Sequence, residues 1–214
     1  EKIYKMFGKD HIKEFSNFAT PEFVEKNLEK GWDWRWLSNN PSTTPEFVEK
    51  HPEKGWDWTI LSMNPSITHE FIERNPEKDW DWTILSSNPS ITPEFIEKHP
   101  ELIEKWNWHR LSKNPSITPE FIKKNLEKDW SWTYLSFNRS ITPEFIEKHQ
   151  EWKWNWAFIS SNPSITLKFV ERHLEKGFNW SYISGNPSIT PEFVEKHFEK
   201  SWSWYWLSSN HSIT

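Results

Sequence analysis

The chain has no cysteine, only five glycines and two methionines among its 214 residues, and no long apolar run. Without thiols there is neither a disulfide framework nor a thiolate metal site, and a reducing, intracellular compartment is the simplest expectation. Nothing approaches the roughly 18 consecutive apolar residues of a membrane span. The N-terminal Glu1-Lys2-Ile3-Tyr4-Lys5-Met6-Phe7-Gly8 lacks the apolar core of a secretory signal. There is no Gly-rich phosphate loop, zinc-ligand spacing or nucleophile motif. The formal net charge is only −5, so the chain has no cationic excess to attract nucleic acid.

What it has in abundance is tryptophan and phenylalanine, 18 and 15 copies, in a strict order. Thr-Pro-Glu-Phe, a Trp-x-Trp pair and Asn-Pro-Ser recur together, so the chain is one short sequence repeated. With Thr as position 1, repeats start at Thr20, Thr44, Thr68, Thr92, Thr118, Thr142, Thr166 and Thr190. The spacing is 24 residues, except that the fourth repeat is two residues longer around Leu102 and Ile103. Residues 1–19 break the pattern. Asp10, Ile12, Phe15 and Phe18 are expected to form a degenerate helix capping the first repeat, as the ends of repeat arrays require. The missing initiator Met, and the start of a ninth repeat at Thr214, suggest an excised piece of a longer array. No matching cap is expected at Ser212-Ile213-Thr214, which leaves that end open to end-to-end self-association.

Each repeat predicts two short helices. Thr at position 1 is a good N-cap, Pro at 2 suits the first turn, and Glu at 3 complements the helix dipole. Position 4 is always Phe and position 5 always Ile or Val. His or Asn at position 8, types that tolerate left-handed geometry, is expected to end the helix. A second N-cap stands at position 14, which holds only Asp, Asn or Ser. Trp at 15 and Leu or Ile at 18 are apolar in every repeat, a spacing of three that favours a helix. A competing reading makes Trp-Thr-Ile-Leu the strand of a leucine-rich-repeat-like strand-and-helix solenoid. The period argues for the first reading, an all-α solenoid of eight two-helix repeats, each helix about two turns long. Helices this short are marginal alone, so Phe 4, Trp 15, Leu 18 and Ile 24 are expected to stack on the same positions of the next repeat. Trp at 15 is assigned to the core. Trp at 13, replaced once by Phe178, is assigned to the seam between helices and is expected to be half exposed.

The combination Asn-Pro-Ser-Ile-Thr, Phe-Ile or Phe-Val, Trp-Asp-Trp or Trp-Asn-Trp, and Leu-Ser-x-Asn-Pro resembles the tryptophan-rich tandem-repeat proteins of giant DNA viruses over residues 20–214. The resemblance implies a helical array and an intracellular viral setting, in the cytoplasm of an infected host cell or in a virion. It carries no catalytic residue. Pro departs to His69 and Leu167 at position 2, and Asn-Pro to Asn138-Arg139 and Asn210-His211, which is natural drift more than idealised design.

Eight near-identical copies offer no singular constellation for catalysis, so the expectation is a non-enzymatic protein with no cofactor. His51, His99, His149, His173 and His197, all at position 8, are read as helix caps because equivalent sites in stacked helices lie roughly 10 Å apart, too far to share one metal. Ser at 19 and Asn at 21 occur in every repeat and are expected to bridge backbone groups of successive turns. Variation concentrates on the second helix. Position 17 reads Trp36, Ile60, Ile84, Arg110, Tyr134, Phe158, Tyr182 and Trp206, and position 20 includes Asn39, Met63, Lys113 and Phe137. Variable residues on an invariant framework are how solenoids display binding specificity. These residues are therefore the candidate contacts of a scaffold or adaptor that binds a protein partner. A nucleic-acid-binding solenoid using the basic row at position 7, Lys26 through Lys196, is the alternative. Its flanking Glu residues should largely cancel that row.

Overall fold

The computed structural model describes residues 15–213, and the chain divides into two compact halves between Asn107 and Trp108. Sixteen short α-helices and one 3-10 helix lie among the described residues, with no strand. The first helices of the repeats are Pro21–Glu25, Pro45–Lys50, His69–Arg74, Pro93–Lys98, Pro119–Lys124, Pro143–Lys148, Leu167–Arg172 and Pro191–Lys196. The second helices are Trp34–Asn39, Trp58–Met63, Trp82–Leu85, Trp108–Leu111, Trp132–Phe137, Trp156–Ile159, Trp180–Ile183 and Trp204–Ser208. Within each half the repeats follow one another as an all-α solenoid, with second helices packed on their neighbours, as Trp58–Met63 packs on both Trp34–Asn39 and Trp82–Leu85.

Both predicted N-caps form. Thr44 Oγ1 accepts the N–H of Phe47 at 3.3 Å and Asp57 Oδ1 that of Ile60 at 3.0 Å, and the pair recurs along the chain. The helices are shorter than the two turns expected, at four to six residues. The first helix ends where position 8 leaves helical geometry with φ negative, −129° at His51 and −124° at Asn125, so the expected left-handed backbone is not used. Where position 8 is Asn, its side-chain amide caps the helix by donating to the carbonyl of the Phe four residues back, as Asn75 does to Phe71 at 2.9 Å.

Trp at 13 fills the seam between helices as expected, but the expected burial of the two tryptophans is reversed. Position 13 is buried in every repeat, whereas Trp at 15 is half-buried from Trp34 to Trp180 and Trp204 is 61% exposed. A hydrogen bond explains the inversion. The position 13 indole N–H donates to the position 8 carbonyl, from Trp56 to His51 at 2.9 Å and from Trp80 to Asn75 at 2.8 Å, closing the loop between the helices from inside. Burying an indole is favourable when its N–H finds such a partner. In the longer fourth repeat the extra residues form the 3-10 helix Pro100–Lys105, and the buried Trp106 indole N–H is left without a partner.

Repeats join in a staggered arrangement, not by the expected like-on-like stacking. Trp34 stacks on Phe47 of the next repeat (6.3 Å between centroids, 24° between planes) and meets Trp56 edge-to-face at 5.0 Å. The same pair of contacts joins Trp58 to Phe71 and Trp80, Trp108 to Phe121 and Trp130, and Trp180 to Phe193 and Trp202. A lysine of the next repeat closes over the outer face, Lys54 Nζ lying 5.4 Å from the Trp34 ring and Lys78 Nζ 5.3 Å from Trp58. In the sixth repeat Trp152 stands in place of this lysine and packs on Trp132 at 5.4 Å. Trp204 has no such cover among the described residues, which accounts for its exposure. Behind the tryptophans lies a continuous apolar layer within each half, including Leu61, Ile67, Phe71 and Ile72 in one and Leu135, Ile141, Ile146 and Phe169 in the other.

A polar ladder runs beside that layer. Asn64 Nδ2 donates to the carbonyls of Ser38 and Asn40 in the preceding repeat, at 3.2 and 2.9 Å. Asn162 reaches those of Ser136, Asn138 and Ile141 at 3.0–3.1 Å. Ser38 Oγ donates to its own helix at Trp34 O (2.8 Å) and accepts the N–H of Asp57 from the next repeat (3.0 Å). The structural duty read from the invariant Ser and Asn is thereby met, atom by atom. At the N-terminal end Ser16 takes the same role, accepting from Asp33 N (3.4 Å) and offering its carbonyl to Asn40 (2.9 Å). Phe15 covers Phe23 and Trp32 there, while Phe18 turns to solvent; Asp10, Ile12 and Thr214 lie outside the described residues.

Deleting Leu102 and Ile103 should return Trp106 to the spacing at which its indole reaches the His99 carbonyl. A buried donor without a partner costs about 1–3 kcal/mol. The shortened full-length chain is therefore expected to unfold at higher urea concentration, with slower hydrogen exchange at the Trp106 indole.

Candidate partner-binding face

The second helix is oriented by what it buries. Leu or Ile at position 18 and Ser at 19 are locked inside, Leu61 and Ser62 being fully buried. The N-cap at 14 holds the first turn through the backbone N–H of position 17. Helical geometry then turns positions 16, 17 and 20 outward, with 17 and 20 adjacent as i and i+3 neighbours.

All the candidate residues lie on this outward face, to different depths. Trp36, Met63, Tyr182 and Trp206 are exposed, as are Asn39, Arg110 and Lys113, whereas Ile60, Ile84, Tyr134, Phe137 and Phe158 are half-buried. The partial burial has a rule: position 20 of one repeat lies against position 17 of the next. Lys113 Nζ stands 3.9 Å from the centroid of Tyr134, and Phe137 lies 6.0 Å from Phe158. Tyr134 and Phe137 also meet edge-to-face at 5.7 Å, and Phe158 approaches Tyr182 at 6.5 Å. The C-terminal half therefore carries a connected aromatic row from His109, 4.9 Å from Tyr134, to Tyr182. In the N-terminal half Trp36, Asn39, Ile60 and Arg35 frame a shallow cavity of about 310 Å³. Arg35 is held by Asp57 at 3.2 Å, and Asn39 donates to Asn17 Oδ1 at 3.0 Å.

Position 16, which the helical period also places on this face, is not among the candidate contacts, yet Arg35 and His109 join the face there and Tyr205 is 75% exposed. The signal was its free variation between the fixed Trp at 15 and the variable position 17. Sequence reasoning missed the notch at Gly185, of about 250 Å³ and bounded by Tyr182 and Trp206. A lone glycine within a variable row was the trace it left in the sequence.

The basic row at position 7 lies elsewhere, and five of its members are ion-paired across repeats, Lys148 following the fifth repeat's Lys123 instead of a Glu. Lys50 pairs with Glu25 at 2.5 Å, Arg74 with Glu49 at 2.9 Å, Lys98 with Glu73 at 2.8 Å and Arg172 with Glu147 at 2.8 Å. The partner is Glu at position 6 of the preceding repeat, so each pair spans an interface. The Lys50 ammonium holds the Glu25 carboxyl below the usual range, and Lys196 does the same for Glu171. These groups are solvent-exposed, so the pairs contribute little to stability.

The position 8 histidines pack against the ring at position 4, as His51 does on Phe47 at 5.1 Å and His173 on Phe169 at 4.7 Å. No group of three His, Asp or Glu able to hold a metal ion occurs among the described residues. His99 differs from the others in having carboxylates at both ring nitrogens, Glu73 at Nε2 (2.8 Å) and Glu101 at Nδ1 (2.9 Å). Two acceptors favour the doubly protonated imidazolium. The Glu73 bond foremost, then Glu101, raises the His99 pKa against the opposing effect of burial. Glu73 in turn is lowered to about 2, by Lys98 first and then His99.

Comparison with protein-family models, curated proteins and solved structures finds no match, so the site's own geometry carries the functional reading.

The raised His99 value means that its protonation favours the folded state. That contribution is complete below the ordinary His pKa of about 6.5 and disappears as pH rises through the folded value. The Glu73 contribution has the opposite sense, present above the ordinary carboxylate range and lost as pH falls toward about 2. NMR titration should find His99 deprotonating above 6.5 in the intact chain and at a lower pH in Glu73→Gln.

Proposed function

We propose that this chain is a non-enzymatic scaffold or adaptor that holds a protein partner along the outward face of its second helices. The observation that carries this reading is the contrast between two sets of apolar residues. The framework positions 4, 5, 13, 18 and 24 are spent largely inside, whereas Trp36, Met63, Tyr182 and Trp206 stand exposed on the variable row of the second helices. The loop position 9 also varies and exposes Leu28, Leu126, Leu174 and Phe198, but not on a helix face. Aromatic and methionine side chains left in water on a packed helical support have the character of interface anchors. Several weak anchors, Trp36 and Met63 in one half and Tyr182 and Trp206 in the other, would bind multivalently, so that a partner is gripped although each contact is modest. A structural role inside a virion or another assembly is a variant of the same reading, and the resemblance to tryptophan-rich proteins of giant DNA viruses gives an infected host cell or virion as the setting to test. Among the described residues no helix is long and apolar enough to cross a membrane.

The nucleic-acid alternative has less support. Five members of its required basic row, Lys50, Arg74, Lys98, Arg172 and Lys196, are ion-paired to glutamates of preceding repeats, and the net charge of −5 opposes phosphate.

Affinity capture from host-cell or infected-cell lysate, with and without nuclease, tests the reading. The chain is compared with a variant in which Trp36, Tyr134, Phe158 and Tyr182 are changed to Ser, with circular dichroism confirming that both are helical. The expected outcome is a set of proteins retained after nuclease and lost with the variant. Partners released by nuclease, or retained by the variant, would overturn it.

A further inference from the structure

Position 20 of each repeat is the natural neighbour of the ring at position 17 of the next, and the chain shows what that neighbour can be. Between the fourth and fifth repeats it is an ammonium, Lys113 Nζ at 3.9 Å from the Tyr134 centroid. Between the fifth and sixth it is a ring, Phe137 against Phe158. Between the seventh and eighth it is Gly185, and nothing fills the place. The result is a notch of about 250 Å³ between Tyr182 and Trp206, floored by Gly185 and edged by Pro163, Ser181 and Pro187. Tyr182 and Trp206 are 46% and 51% exposed, so their rings are accessible to an incoming group.

We propose that the Gly185 notch receives a lysine side chain from a protein partner, seated over Trp206 as Lys113 is seated over Tyr134. Three observations favour the cation over an aromatic guest. Trp presents the strongest π face for an ammonium. None of the residues lining the notch carries a positive charge that would repel it. The chain as a whole is anionic, with formal net charge −5, which draws basic segments toward it. Elsewhere in the molecule the same chemistry is used six times, where a lysine of one repeat closes over the position 15 tryptophan of the repeat before. The notch lies within the row proposed above to bind a partner, and its assignment rests on that reading.

The notch can be closed from within. A Cβ at Gly185 would meet Tyr182 O at 3.6 Å and the Trp206 ring at 3.9 Å, both ordinary contacts, so a side chain is tolerated. Gly185→Lys would then place the chain's own ammonium on Trp206 and exclude the guest.

The test is a titration of the full chain with an end-blocked Gly-Gly-Lys-Gly-Gly peptide, followed by NMR at the Trp206 indole, assigned by its loss in Trp206→Phe. Two control peptides replace Lys with norleucine or Phe. The expected result is a saturable Trp206 shift with the Lys peptide, about tenfold weaker or absent with both controls, and abolished in Gly185→Lys with unchanged circular dichroism. Trp206→Leu, at an exposed site, serves as a second variant, read on the Tyr182 ring, and should also remove the response. Equal shifts with norleucine or Phe, no shift with any peptide, or a shift that persists in both variants would overturn the assignment. If the peptides fail while the Ser-substituted row still loses its captured partner, the outward-face reading stands and only the notch's ligand falls.

Discussion

Among the described residues no helix is long enough to exist alone. Helices of four to six residues lie far below the roughly 12–15 at which an isolated helix becomes even marginal in water, so their stability must come from the joints between repeats. Two devices make each joint. One is the position 15 tryptophan, which leaves its own repeat to lie between the Phe and Trp of the next under a lysine lid. The other is the asparagine at position 21, whose buried amide satisfies carbonyls of the repeat before it. The first is apolar and supplies attraction. The second is directional and fixes register, because a one-residue slip would strand several buried polar groups.

This division of labour frees the outward face. Since the joints use positions 4, 5, 13, 15, 18, 19, 21 and 24, the residues at 16, 17 and 20 can change without loosening the stack. Variation there ranges from Gly185 to Trp36 at little structural cost. Contact between position 20 and the following position 17 gives the row its own local packing, so that neighbouring choices modify one another. Lys113 on Tyr134 and the open place at Gly185 are two settings of the same arrangement.

Much of this was legible in the sequence. The period, both N-caps, the helical reading of Trp-Thr-Ile-Leu and the backbone duty of Ser 19 and Asn 21 all follow from residue chemistry at fixed positions. The outward orientation of the candidate row follows from Leu 18 being buried. The order of the two tryptophans was not legible, because apolarity alone cannot tell a Trp that serves its own repeat from one that serves the next. Only the indole N–H bond to the position 8 carbonyl, a contact across five residues of loop, decides between them. For the same reason the lysine over six of the position 15 rings was hidden: Lys54 and Trp34 are distant in sequence and meet only through the stagger. The notch at Gly185 needed both facts, the stagger and the missing side chain.

Trp180 and Trp204 occupy the same position in successive repeats, but among the described residues Trp180 is received by a following Phe and Trp, whereas Trp204 touches only Phe198 of its own repeat among the rings. Equilibrium urea unfolding of Trp180→Ala and Trp204→Ala, each in the full chain, therefore isolates the joint from the helix that bears the residue. If stability resides in the joints, Trp180→Ala should cost about 2–4 kcal/mol and Trp204→Ala no more than about 0.5 kcal/mol. Equal losses at the two sites would contradict the account.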